Sequence, residues 1–418
     1  MTSDRAKGPR GVPDLVPPAS ELLTEVEDAA RTLFERYGYQ RIETPVFEAT
    51  EVFQRAAGET SEVILDKQMY TFADRRGRSF SLRPEGTAGI ARAFVEHDLG
   101  KKLTPPVRLS MMGWMFRYER PQKGRNRQFH QIDAECIGSA EPIVDAELIA
   151  LASQFFTAIG LEPQLLLNSM GHPADREAYF PVLRQAIGDK IEDMCKDCHV
   201  RLERNPLRVF DCKVPACRKV LRGDVPPITE YLCEECRAHF ASVQEILETL
   251  GIRWKNDPHL VRGFDYYTRT VFEFVLEGFG ARGTVCGGGR YDGLIELLGG
   301  PPTPAAGFAV GTEPVLVTLR ATREPKAQLP DVYVVWMEGL ASVAMATALD
   351  LRGAGMRVIV ADEPKSMRAS LRAADRSQAK RALILGAEEV SRGSATVKDL
   401  GTGEQREVPL DKLVEELS

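Results

Sequence analysis

Residues Phe116–Gln131 read FRYERPQKGRNRQFHQ and lie between two strand-like stretches, Pro106–Gly113 (PVRLSMMG) and Gln128–Gly138 (QFHQIDAECIG). The arrangement is strand, long polar loop, strand. Arg117, Arg120, Lys123, Arg125 and Arg127 crowd the loop, Glu119 is its only acid, and Gly124 supplies a flexible joint. A guanidinium fixed where a loop leaves a strand can fork two hydrogen bonds to a phosphate, while the loop tip meets a nucleic-acid backbone or base edge. From charge alone, a solvated surface loop is the plain alternative.

Upstream, Glu21–Tyr37 carries Leu22, Leu23, Val26, Ala29, Ala30, Leu33 and Phe34 at helical spacing, and Gly38 stops the helix. Tyr39–Phe47 then reads as a strand interrupted by Pro45, a residue suited to an edge, a bulge or a subunit boundary. In LRPEGT (Leu82–Thr87), Glu85 and Thr87 bracket a glycine. If Glu85 lies in a cleft, a substrate α-amino group is a natural partner for it; a surface turn with a solvated Glu85 is the alternative.

Downstream, Asp145–Gly160 returns to helix. The stretch 168–258 holds Cys195, Cys198, Cys212, Cys217, Cys233 and Cys236 among mostly helical patterns such as Ala238–Leu250, and reads as an inserted module. Strand and turn chemistry resumes from Val261 to Glu277 and from Gly283 to Gly293, ahead of an apolar, glycine-containing helix near Ala305–Leu319. In LVRGFDYYTRT (Leu260–Thr270), adjacent tyrosines on an extended strand face opposite sides, so only one lines a given pocket. In CGGGRYDGL (Cys286–Leu294) three glycines permit close backbone approach before Arg290 and Tyr291, although such triplets are more often turns. Neither GxxxxGK[ST] nor a strand-borne GxGxxG is present.

Ala321–Pro330 reads as a linker. After it come strand Asp331–Met337, helix Ala341–Arg352, strand Met356–Ala361, helix Lys365–Ala374 and strand Arg381–Leu385, an order that implies a small parallel sheet with covering helices. Lys365, Arg368 and Arg372 fall at helical spacing, either as a basic face or as an ordinary solvated one.

The whole chain has 418 residues, 43% hydrophobic and 27% charged, enough for two or three folded domains. The net charge of −6 argues against a protein that coats nucleic acid through overall positive charge, so such contact must be local. No signal peptide pattern and no apolar run of about 18 residues is seen, which points to the cytoplasm and away from membranes.

Taken together, these stretches resemble the class II aminoacyl-tRNA synthetases, and more narrowly the histidyl enzymes of bacterial type. The helix and proline-bearing strand from Glu21 to Phe47 are similar to that family's first motif, at its dimer interface; Phe116–Gln131 is similar to its second. LVRGFDYYTRT and GGGRYDGL are similar to two segments peculiar to histidyl enzymes.

The resemblance implies an α+β fold in which helices flank an antiparallel sheet. It divides the chain into a catalytic core (1–167 and 259–325), a mostly helical insertion (168–258) and a C-terminal α/β anticodon-binding domain (331–418). It also implies activation of L-histidine with ATP and Mg²⁺ to histidyl-adenylate and pyrophosphate, then transfer to the 3′-hydroxyl of tRNA(His), by a homodimer.

By the same resemblance, Arg117 and Arg262 are the catalytic cations on the α-phosphate, and Glu119 joins them in binding ATP. Glu85, Thr87 and Gln131 hold the α-amino group; Glu135, Tyr267 and Tyr291 read the imidazole, with Tyr266 in the same histidine site. Arg120, Gln122, Lys123 and Arg125 meet the tRNA acceptor end. One departure stands out: GFAVGTEP (Gly307–Pro314) places proline where the family's third motif has an arginine for the ATP γ-phosphate, and Arg320 is the nearby cation in sequence. A raised Michaelis constant for ATP is the expectation. The departure also supports the alternative reading, a synthetase-like, histidine-binding regulatory subunit of ATP phosphoribosyltransferase; a plain RNA-binding module leaves the pocket residues without a purpose.

The two CxxC pairs, Cys195/Cys198 and Cys233/Cys236, form a candidate set of four thiolates for structural zinc, against free buried thiols or redox chemistry. Cys136 and Cys286 read as small core residues. The histidines offer no paired metal spacing, and His130 is the one near the expected chemistry.

Overall fold

A computed structural model describes residues 6–58, 68–122, 124–223, 225–276, 283–324 and 329–417. It divides into two compact units, 1–325 and 326–418.

In the first unit, α1 (Ala19–Arg36) buries Leu22, Leu23, Val26, Ala30, Leu33 and Phe34, the stripe its spacing predicts. Full burial of each of these leucine, valine and phenylalanine side chains contributes about 1.5–3 kcal/mol. The expected strand Tyr39–Phe47 is instead two short pieces: β1 (Gln40–Arg41) and β2 (Phe47–Ala49). Pro45 falls between them, where its missing N–H breaks no ladder. Next come α2 (Thr50–Ala57), β3 (Thr71–Ala73), β4 (Ser79–Leu82), α3 (Thr87–Glu96) and α4 (Leu99–Lys102). The strands around the basic loop are β5 (Val107–Phe116) and β6 (Gln128–Ile137), an antiparallel pair in unbroken register from Val107↔Ile137 to Phe116↔Gln128.

Beyond α5 (Pro142–Ala158) and β7 (Gln164–Ser169), the cysteine-bearing stretch supplies α6 (Pro173–Ile187), α7 (Lys196–Arg204), α8 (Pro215–Leu221) and α9 (Glu234–Thr249). The chain then returns through β8 (Trp254–Asn256), β9 (Thr268–Val275), β10 (Thr284–Arg290), α10 (Leu294–Leu297), β11 (Ala305–Gly311) and α11 (Thr312–Thr322). Eight strands form one sheet in the order β1-β5-β6-β11-β10-β9-β7-β8. Its six central strands are antiparallel; β1 and β8, at the two ends, pair parallel, so the sheet is mixed. β2, β4 and β3 make a separate small sheet.

Two expectations fail here. Ala305–Leu319 is not one helix: its first seven residues are β11, held between β6 and β10. A strand buried on both faces reads as an unbroken apolar run, and such a run does not distinguish strand from helix. The glycines of CGGGRYDGL are not a turn either, since Gly287, Gly288 and Gly289 sit mid-strand in β10.

One face of the sheet packs Ile132, Ala134 and Cys136 of β6 against α1, α5, α9 and α11. The other carries Leu109 and Met111 toward a second core with Tyr266, Tyr267 and Tyr291. Among the described residues, no helix is long and apolar enough to cross a membrane.

The second unit contains β12 (Val332–Trp336), α12 (Ala341–Gly353), β13 (Val358–Val360), α13 (Met367–Arg376), β14 (Arg381–Leu385), α14 (Ala387–Ser391), β15 (Ser394–Asp399), β16 (Gln405–Pro409) and α15 (Leu413–Leu417). Its sheet runs β13-β12-β14-β15-β16. The first three strands are parallel, as expected, but β15 and β16 add antiparallel ribbons, so the sheet is mixed rather than parallel.

Candidate active site

The alternation of β6 puts Gln131, Asp133 and Glu135 on one face, all buried. Their neighbours are small: Gly113 and Gly311 flank Gln131, and Gly307 stands beside Glu135. A Cβ at Gly307 would run into the Glu135 carboxylate, and one at Gly86 would come within 2.6 Å of Asp133. The carboxylates of Glu135 and Asp133 therefore fit because Gly307 and Gly86 have no Cβ.

Glu85 is buried, which excludes a solvated turn. Its oxygens accept the N–H groups of Thr87 and Ala88, both at 2.8 Å, at the start of α3, where the helix dipole favours negative charge. Burial pushes its carboxyl up, with those N–H groups and Arg117 pulling the other way. The Thr87 hydroxyl donates to Glu135 Oε1 at 2.6 Å, and the Tyr291 hydroxyl donates to Oε2. Burial holds the Glu135 carboxyl well above the usual range, with Thr87 and Tyr291 opposing it.

Tyr266 and Tyr267 do not lie on a strand; they occupy the turn before β9, so the alternation that would separate them does not apply. Both are buried, with ring centroids 4.8 Å apart, and Tyr291 stands 5.7 and 6.4 Å from them. The three rings form one cluster, which touches Glu135 through the Tyr291 hydroxyl.

Arg117 leaves the end of β5 with its Nε donating to Pro84 O at 2.8 Å and its guanidinium over the Phe129 ring. Arg262 donates to Glu273 Oε1 at 2.6 Å and stacks over Tyr267. Its Nε is buried with no hydrogen-bond partner among the described residues. Burial opposes its charge, yet Tyr267 and Glu273 more than compensate and hold the proton tightly. A Cβ at Gly287 would run into this guanidinium.

In the loop, Glu119 pairs with Arg125 at 2.5 Å, Arg127 lies over Tyr118, and Gln122 and Arg125 close a tight turn. Arg120 and Gln122 stand exposed; Lys123 lies outside the described residues, as does Glu277. Pro314 sits in the first turn of α11, and Arg320 is exposed in the last. At about 1.5 Å per residue, the helix sets them about 9 Å apart along its axis. Glu313 accepts the His130 N–H at 2.8 Å, and burial raises its carboxyl to about 7 against that bond.

Sequence reasoning missed Asp133, fully buried with neither oxygen partnered among the described residues. Burial, then Glu85, push its carboxyl well up. The signal was the alternation in QIDAE. It also missed Arg83, buried between Thr44 O and Trp114 O at 2.9 Å each, which pins β5 to the segment after β1.

The expected zinc set is not brought together. Cys195 and Cys198 join Cys212 and Cys217, whereas Cys233 and Cys236 join His172 and Asp175. The reason is that Asp175, in the first turn of α6, accepts the Cys233 N–H and fixes the start of α9 there. Cys136 and Cys286 are buried core residues, as their chemistry suggests.

Residues 11–315 match the model of the family described as histidyl-tRNA synthetase. The chain belongs to the histidyl-tRNA synthetase family. Residues 331–418 match the anticodon binding domain, beyond the family's catalytic part. Relatives named histidine–tRNA ligase include those of Moorella thermoacetica, 46% identical over 97% of this chain and 96% of that one, and Halothermothrix orenii, 44% identical over 98% of each. The apo histidyl-tRNA synthetase of S. aureus superposes with a TM-score of 0.82 and 35% identity, covering 99% of this chain and 100% of that one. A Bacillus halodurans structure described as an ATP phosphoribosyltransferase regulatory subunit/histidyl-tRNA synthetase shares the fold at a TM-score of 0.65 and 23% identity, covering 91% of this chain and 98% of that one.

Proposed function

We propose that this chain is a histidine–tRNA ligase that uses the Gln131–Asp133–Glu135 face as its amino-acid site and Arg117 with Arg262 as its phosphate clamp. The observation that carries the reading is Glu135: a buried carboxyl at the sheet centre, held by two hydroxyl donors and walled by three tyrosines. Imidazole offers one donor and one acceptor in a planar ring, which suits this mixture of carboxyl and phenol groups. Other amino acids leave those buried groups unpaired, the strong form of discrimination. Glu85, Thr87 and Gln131, with Asp133 beside them, take the α-ammonium.

ATP enters as its magnesium complex. The histidine carboxylate attacks the α-phosphorus, pyrophosphate leaves, and the charge that builds on the phosphoryl oxygens falls to Arg117 and Arg262; Glu119, which pairs with Arg125, is assigned to the nucleotide as well. The 3′-hydroxyl of tRNA(His) then attacks the adenylate carbonyl and AMP departs. Arg120, Gln122, Lys123 and Arg125 serve the acceptor end, and the unit from residue 331 serves the anticodon, with exposed Arg368 and Arg372 of α13 as its basic candidates; Lys365 precedes that helix and pairs with Asp362 and Glu363.

Exposed Val46, Phe47 and Phe72 near the small sheet are the apolar surface we assign to a homodimer contact. The domain division 1–167, 168–258, 259–325 and 331–418 and a cytoplasmic location belong to the same reading. Pro314 is what favours the regulatory-subunit alternative, and full-length likeness to ligases, anticodon domain included, outweighs it. Histidine-dependent ATP–pyrophosphate exchange tests the proposal: exchange specific to histidine is expected, and none at any ATP concentration would overturn it.

A further inference from the structure

We propose that Cys195, Cys198, Cys212 and Cys217 form a tetrathiolate site for one zinc ion, which ties the insertion to the loop bearing Arg262. The four sulfurs all lie within 4.8 Å of one another. Cys195 Sγ and Cys212 Sγ are 3.7 Å apart. A tetrahedron with Zn–S arms of about 2.3 Å has edges of about 3.8 Å, whereas a disulfide needs about 2.05 Å. The Cys195 N–H donates to Cys217 Sγ at 3.1 Å, the kind of backbone donor that stabilises a thiolate.

The four ligands come from separate short pieces. Cys195 precedes α7, Cys198 lies in its first turn, Cys212 follows the 3-10 turn Pro206–Asp211, and Cys217 lies in α8. Pieces of seven to nine residues bury too little to fix their own arrangement, which is where a metal staple contributes most.

The neighbouring cluster of His172, Asp175, Cys233 and Cys236 is a different object. His172 Nε2 accepts from Arg269 Nε at 3.0 Å and Nη2 at 2.7 Å. Arginine does not lose its proton, so Nε2 carries the lone pair and the neutral ring carries its hydrogen on Nδ1, which faces Cys236 Sγ at 3.2 Å. A metal on Nδ1 would demand an imidazolate. The Asp175 oxygens already accept the N–H groups of His172 and Cys233, both at 2.9 Å. This cluster is satisfied by hydrogen bonds, so among the described residues the structure assigns one metal ion, at the four cysteines.

The site bears on the chemistry through the chain that it folds. Arg208, between Cys198 and Cys212, donates to Arg262 O at 3.3 Å, and Asn205 donates to Asp265 Oδ1 at 2.8 Å. His259 meets Leu221 O at 3.1 Å at the end of α8. The metal site stands on its own geometry; its bearing on ATP rests on the role given to Arg262 above.

Elemental analysis of the full chain, purified anaerobically with reductant, is expected to give one zinc per chain. The C233S and C236S variants are expected to keep it and C212S to lose it. If C212S does not fold, a thiol-modifying mercurial titrated into the wild-type chain is expected to release one zinc as four thiols react, and cobalt exchanged into the site is expected to show thiolate charge-transfer bands with tetrahedral intensity. Substoichiometric zinc in the wild-type chain, or zinc kept by C212S and lost by C236S, would overturn the assignment. Zinc release is further expected to raise the KM for ATP more than that for histidine; equal values before and after would overturn the link to Arg262 while leaving the exchange reaction itself intact.

Discussion

Arg290 and Asp145 meet inside the catalytic unit with almost no exposure of either side chain: Nη2 donates to Oδ1 at 2.5 Å and Nε to Oδ2 at 3.3 Å. His239 Nε2 lies 2.7 Å from the same Oδ2, so the pair ties β10 to both α5 and α9. Burial pushes the Asp145 carboxyl up, but the His239 and Arg290 bonds prevail and hold it below the usual carboxylate value. A depressed carboxyl stabilises the fold above its unfolded pKa of about 3.9 and loses that contribution as pH falls through the folded value. Asp145→Asn leaves the buried Arg290 with Asp292, 3.1 Å away and partly exposed, as its remaining carboxylate, and is expected to cost about 3 kcal/mol at neutral pH, the low end for removing one partner of a buried pair. Thermal melts from pH 7 down to 3 check it: the gap between wild type and variant should close toward the acid end.

Glu313 gives a pH effect of the opposite sign. Its carboxyl rises to about 7 on burial, from an ordinary value near 4.5. Between those two values the folded state holds a proton that the unfolded state has released, so this group's contribution declines as pH rises from about 4.5 to 7. Glu313→Gln should flatten that decline, read as a difference in denaturant midpoint between wild type and variant that changes across the same window. A variant whose pH profile parallels the wild type would contradict the assignment.

For Tyr291→Phe, one donor to the Glu135 carboxyl is lost and the ring remains. Removing one partner of a buried hydrogen bond costs about 1–3 kcal/mol, so the KM for histidine should rise about 5- to 150-fold. Pyrophosphate exchange at saturating ATP measures this. The KM for ATP should hardly move, because Arg117 and Arg262 are untouched.

Arg262→Ala removes a cation expected to act on the transition state rather than on histidine. The kcat of exchange should fall by about 10²–10³ with a small change in the histidine KM. Lysine should restore little, because its point charge does not reproduce the fork seated on Gly287.

Pro314→Arg should lower the KM for ATP, since the first turn of α11 accepts arginine as readily as proline. An ATP titration of exchange decides it. An unchanged KM would mean that another cation already serves the γ-phosphate.

The β5–β6 pair was legible because a polar loop that no core accepts separates two apolar, alternating runs. The residues proposed for the histidine site were likewise legible as motifs, since Glu85, Gln131 and Glu135 each sit in short, unusual contexts, and all three are buried. What could not be read depended on long-range partners. Ala305–Gly311 is a strand only because β6 and β10 flank it. Tyr266 and Tyr267 bring their rings together only because the chain turns at Asp265 instead of extending. The partition of the cysteines turned on Asp175, distant in sequence from both pairs.

Gly86, Gly287 and Gly307 make room for Asp133, Arg262 and Glu135 by having nothing beyond Cα. No residue is smaller than glycine, so every heritable change at these positions can only subtract space. The floor of the site thus works as a ratchet on substrate size: drift there closes the pocket and never widens it. Admission of a bulkier amino acid must come from trimming the walls at Tyr266, Tyr267 or Tyr291, the groups proposed to recognise the imidazole, so on that proposal this scaffold cannot broaden its substrate range without first giving up histidine.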